Sequence, residues 1–93
     1  MVYQLSYELK TQDWDYAPLF SYLENQLGSS AKHVLRDVWW IAIDNEVNID
    51  ETCASIREYM GEKDNMFFCR LTNADLNGWL PSNIWKWYNE NKS

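Results

Sequence analysis

The run Lys32–Ile43, Lys-His-Val-Leu-Arg-Asp-Val-Trp-Trp-Ile-Ala-Ile, constrains this chain more than any other stretch. It is rich in β-branched and aromatic residues, which favour strands. Successive side chains of a strand point to opposite faces, so Trp39, Ile41 and Ile43 share one face and Val38, Trp40 and Ala42 the other. Both faces are apolar, so the strand must be covered on both sides. A helix layer covers one; the cover of the second has to come from elsewhere. Arg36-Asp37 is a polar break within the run and leaves two descriptions open. The run is either two short strands joined by a bend or bulge, or one long kinked strand.

Ninety-three residues make one domain (1–93), near the lower end of comfortable single-core size. The aromatic fraction of 16% decides how such a core is filled, because each aromatic side chain buries roughly 150–250 Å². Six tryptophans are more than a core this small can take, so some belong at an interface or under the C-terminal segment. The net charge of −6, with lysines and arginines scattered rather than clustered, weakens any case for nucleic-acid binding. Cys53 and Cys69 occupy expected core positions and read as buried free thiols. No apolar signal region or membrane-length run is present, which points to a reducing cytoplasm and no membrane partner.

Val2–Leu9 alternates, with Tyr3, Leu5, Tyr7 and Leu9 on one face and Val2, Gln4, Ser6 and Glu8 on the other. Pro18 suits a first helical turn that Asp13 or Asp15 would cap. Leu19, Phe20, Leu23 and Leu27 follow at helical spacing, and Gly28 is a natural stop. After the Lys32–Ile43 run, Asn48 with Glu51 forms a capping-box pattern. Ile49, Cys53, Ile56 and Met60 mark one helix face closed by Gly61. Met66–Leu71 reads as a strand with Phe67, Cys69 and Leu71 on one face. The tail, residues 73–93, holds an aromatic-rich segment and a short helix from about Pro81 or Ser82. With two strands in the middle the order is βαββαβ, the ferredoxin-like α+β unit. Its antiparallel sheet carries both helices on one face, and the tail or a partner subunit covers the other.

Leu5–Leu9 (Leu-Ser-Tyr-Glu-Leu), Val34–Ile41, the capped second helix and Gly78–Pro81 (Gly-Trp-Leu-Pro) together resemble the SinR-like family of small bacterial proteins. That group is related to the ferredoxin-like "Cas two" family of CRISPR spacer acquisition and to the VapD toxins. The resemblance implies a homodimer formed through the sheet and its C-terminal edge. Nuclease-competent relatives carry an aspartate near the end of the first strand, in a position matched here by Glu8. Two such carboxylates in a dimer hold a divalent cation, Mg²⁺ or Mn²⁺, that activates water against an RNA phosphodiester. Glu8 keeps the charge but adds a methylene, and a serine common in the family's middle strand is Asp37 here. Misplacement by about an ångström can cost on the order of a hundredfold in rate, so both departures weigh against catalysis.

Glu8, and Asp37 beside it if the strands are adjacent, are therefore the candidate catalytic and metal-binding residues. Ordinary solvent-facing polarity is the competing explanation for Glu8. Asp44–Asp50 resembles a calcium loop only superficially, because Ile49 replaces the sharp-turn glycine and Ser55 the closing glutamate. His33 is the single histidine and no CxxC is present, which excludes a multi-histidine or paired-cysteine zinc site. Trp79, Trp85 and Trp87 are candidate interface residues. Stacking on single-stranded nucleic acid would need a basic groove, and this tail offers only Lys86 and Lys92. The expectation is a homodimeric, non-catalytic interaction module without a cofactor, with a divalent-metal-dependent endoribonuclease as the alternative. A small-ligand sensor is a third possibility, since ferredoxin-like folds host many functions.

Overall fold

The computed structural model describes all residues 1–93. Strand β1 (Val2–Glu8) is followed by helix α1 (Ala17–Asn25), strands β2 (Ser30–Leu35) and β3 (Val38–Ala42), and helix α2 (Ile49–Arg57). Strand β4 (Asn65–Arg70) and helix α3 (Ser82–Asn91) complete the chain. The strands form one antiparallel sheet in the order β2-β3-β1-β4. This is the ferredoxin-like βαββαβ arrangement, with α3 appended. The Lys32–Ile43 run is thus a hairpin, turning at Arg36-Asp37, and a register shift between His33 and Leu35 marks a bulge in β2.

Three layers result, and β3 separates two apolar clusters. On one face Tyr3, Leu5, Tyr7, Trp39, Ile41 and Ile43 pack with Leu19 and Leu23 of α1, Ile56 of α2, and Met60 and Phe68. On the other, Val2, Val34, Trp40 and Ala42 pack with Ile84, Trp87 and Tyr88 of α3. The cover that the second face of β3 requires is therefore the chain's own C-terminal helix. Trp39 belongs to the α1/α2 side and Trp40 to the α3 side.

Local details depart from expectation for identifiable reasons. Neither Asp13 nor Asp15 caps α1. The N-cap is Tyr16, which makes no side-chain cap bond. Asp15 instead accepts from the Ala17 N–H at 3.0 Å, an Asx turn, and Asp13 adopts a left-handed φ of 60°. Gly28 does not end α1, which stops at Asn25. A Cβ at Gly28 would lie 2.2 Å from the Ala42 carbonyl oxygen, so close packing against β3 is what demands glycine there. Gly61 lies beyond the end of α2 at Arg57, and a Cβ on it would meet Thr11 Cβ at 2.4 Å. The Asn48 cap forms, its Oδ1 accepting from the Glu51 N–H at 3.0 Å. Both Cys53 and Cys69 are half-buried rather than core residues. In β4 it is Phe68, stacked on Tyr3 at 5.4 Å, that enters the α1/α2-side core, while Phe67 on the other face is exposed.

Candidate functional site

The strand register arranges the α3 face of the sheet into cross-strand rows. Ser30, Ala42 and Val2 form the first, Lys32, Trp40, Gln4 and Cys69 the second, and Leu35, Val38, Ser6 and Phe67 the third. Helix α3 is seated on the first two. Trp87 donates its Nε1–H to Ser30 Oγ at 2.9 Å, and Trp40 meets Trp85 edge-on at 5.8 Å. Trp40 Nε1–H is satisfied by Gln4 Oε1 at 2.9 Å, so the buried indole leaves no orphan donor. The third row is different. Its two ends, Leu35 and Phe67, are 55% and 66% exposed. At the Leu35 end the β2 bulge produces this, because it lets Val34 reach the buried cluster while Leu35, facing Val38, stays on the same side of the sheet.

Glu8 lies just past this row, exposed, with its Oε1 accepting from Asn65 Nδ2 at 3.2 Å. Asp37 is not beside it. The Tyr7 N–H donates to the Asp37 carbonyl at 3.1 Å, which continues the β1–β3 register and places Asp37 opposite Tyr7. Tyr7 faces the α1/α2 side, so Asp37 and Glu8 belong to opposite faces of the sheet. Burial raises the Tyr7 pKa, the Trp39 Nε1–H donated to its hydroxyl at 3.0 Å lowers it, and the Asp37 charge raises it further. A metal shared by Glu8 and Asp37 of one chain is excluded by this geometry. No three histidine, cysteine, aspartate or glutamate side chains form a group that could hold a metal ion.

The three tail tryptophans part company. Trp87 is buried inside the chain's own second cluster, and Trp85 is half-buried against Trp40 and Tyr88. Trp79, in the segment before α3, is fully exposed. His33 packs flat on Trp39, centroids 4.5 Å apart and planes within 13°, with its Nε2 2.8 Å from the Arg36 carbonyl. The Cys69 thiol is pushed up in pKa by burial.

One polar centre escapes sequence reasoning altogether. Asp64 is 3% exposed and gathers the loop after β1 onto the loop before β4. Its Oδ1 accepts from the N–H groups of Lys10 (2.7 Å) and Thr11 (3.0 Å) and from the Thr11 hydroxyl at 3.0 Å. Its Oδ2 accepts from the Gly61 N–H at 2.7 Å, and the Tyr16 hydroxyl reaches both oxygens at 2.6 and 2.7 Å. Burial pushes this carboxyl upward, but the Tyr16 hydroxyl and the backbone donors outweigh it and hold the pKa well below the usual carboxylate range. The donors stand about fifty positions upstream, apart from Gly61, so nothing in the local pattern Gly-Glu-Lys-Asp announces them. Asp64 is saturated by its own chain and has no capacity left for a ligand; its role is structural.

Comparison of the chain with protein families, with curated proteins and with solved structures finds no match.

Proposed function

We propose that this chain is a non-catalytic interaction module that works as a homodimer. The observation that carries this is Phe67, an aromatic side chain 66% exposed on β4, a strand with a single neighbour in the sheet. An apolar residue of that size left in water on a sheet edge is characteristic of an association surface. The resemblance of Leu5–Leu9, Val34–Ile41 and Gly78–Pro81 to SinR-like proteins supports the same reading, as does the placement of Glu8 and Asp37 on opposite faces. Sedimentation equilibrium at tens of micromolar tests it. A mass of two chains is expected, and a mass of one chain overturns the proposal.

The second reading is a Mg²⁺- or Mn²⁺-dependent endoribonuclease that uses Glu8 from each of two subunits. It draws on the exposure of Glu8, whose one side-chain partner is Asn65. It predicts metal-dependent RNA cleavage that disappears in Glu8→Ala. Equal cleavage by that variant, or none by either protein, removes it.

A further inference from the structure

We propose that two copies of this chain join through the free edge of β4, pairing antiparallel about Phe68 and merging two four-stranded sheets into one. This rests on the homodimeric reading above and names the surface that serves it.

The direction of the backbone groups carries the inference. Neighbours in an antiparallel pair alternate between residues that exchange hydrogen bonds and residues that do not. The Leu71 N–H donates to the Val2 carbonyl at 2.8 Å, in line with the β1–β4 register, so Leu71, Cys69 and Phe67 turn their backbone groups toward β1. The Tyr7 N–H, donated to the Asp37 carbonyl on the β3 side of β1, agrees. Met66, Phe68 and Arg70 consequently turn theirs outward, and no turn or loop hydrogen bond uses them. They offer alternating donors and acceptors to a further strand.

The two edges of the sheet are not alike. The β2 edge is guarded by Lys32 and by the bulge between His33 and Leu35, two devices that discourage edge pairing. The β4 edge has neither. Its register with β1 is uninterrupted from Asn65 to Arg70, it contains no proline or lysine, and its one charge, Arg70, is paired with Glu46 at 3.3 Å. A chain of net charge −6 repels its own copy least where the surface is nearly neutral.

The occupant is a second copy because the strand is self-complementary in one register. With Phe68 opposite Phe68 of the second copy, Met66 meets Arg70, and every outward backbone group of the strand finds a partner. Shifting the register to centre on Phe67 strands the groups of Arg70. In the favoured register exposed Phe67 lies over the small side chain of Cys69 of the other copy, on the α3 face. The pair is non-hydrogen-bonded, with Cα atoms about 4.5 Å apart. In this arrangement β1 and its counterpart stand three strand spacings apart, about 14 Å. The two Glu8 carboxylates then cannot share a cation, so the edge-paired dimer and the nuclease reading exclude one another.

The test exploits the Phe67–Cys69 contact. Phe67→Cys, at an exposed position, is treated with oxidised glutathione as the oxidant, and the products are sized and mapped by mass spectrometry. A separation of about 4.5 Å lies within the range a disulfide spans. A covalent dimer linked from position 67 of one copy to Cys69 of the other is expected, and it should vanish when Cys69→Ser is added. A link between the two introduced thiols overturns the register. No interchain link in a protein that sediments as a dimer overturns the β4 edge while the homodimeric reading stands. Monomeric sedimentation of the unsubstituted chain overturns both.

Discussion

The two faces of the sheet are built to different standards. The α1/α2 face is closed by two helices, and Leu5, Leu19, Ile41 and Ile56 there are wholly inaccessible. The α3 face is closed by a single ten-residue helix whose buried residues Ile84, Trp87 and Tyr88 each keep 7–8% exposure, although Val2 beneath it is wholly inaccessible. Its third cross-strand row is left open at both ends, at Leu35 and Phe67. The first cluster draws on residues from β1 to β4 and holds the fold together. The second depends on a terminal helix reached through a segment, residues 71–81, without regular structure. A face covered by a terminal element opens at lower free energy than one enclosed by the central elements. Adjacent tryptophans of one strand therefore serve different purposes: Trp39 holds the domain together, and Trp40 docks the tail.

The largest test of this contrast is Trp39→Ala. It empties the space beside Tyr7, Phe20 and His33 and removes the hydrogen bond to the Tyr7 hydroxyl. A loss of about 3–5 kcal/mol in urea-unfolding stability is expected, for all probes together. A change below about 1 kcal/mol would erase the distinction between the faces.

Next comes Asp64→Asn, which breaks the tie between the loop after β1 and the loop before β4. An expected cost of about 2–4 kcal/mol follows from the loss of a buried, charge-assisted network. The sign of the pH dependence is fixed by the depressed pKa. The contribution of Asp64 is present in full above the unfolded carboxylate pKa of about 3.9. It is lost as acid carries the pH down through the lower folded value. The wild-type protein should lose this stability below about pH 4, and the variant's profile should be flatter in that window. Denaturant midpoints collected from pH 2 to 7 check it.

Trp40→Ala should act differently from Trp39→Ala although both indoles are buried. The cost expected is about 2–3 kcal/mol, at or below the low end for a buried tryptophan, because α3 can undock and rearrange. Hydrogen exchange should show protection lost first in Ser82–Asn91 while β1 and β3 stay protected. Uniform loss across the chain would mean the two faces form one cooperative unit.

Much of the fold was legible in the sequence for a simple reason. The alternation in β1 and the helical spacing of Leu19 and Leu23 are local patterns, and the Asn48–Glu51 cap is made within one turn. Long-range matters were not legible. Gly28 and Gly61 look like helix stops, yet what they answer to is a carbonyl of β3 and the side chain of Thr11. Phe67 and Phe68 are chemically identical neighbours, and only the register with β1 decides which enters the core. Glu8 and Asp37 look like partners until that same register puts them on opposite faces.

The sequence by itself determined that Lys32–Ile43 needs cover on both sides, because alternation makes two apolar faces unavoidable once the run is extended. It could not say what supplies the second cover. Tertiary structure decided that α3 does so, and that the cover stops short of Phe67. The physical reason is distance along the chain. Ile84, Trp87 and Tyr88 of α3 are seated over Val2, Trp40 and Ala42, residues more than forty positions away, so no local pattern announces the contact.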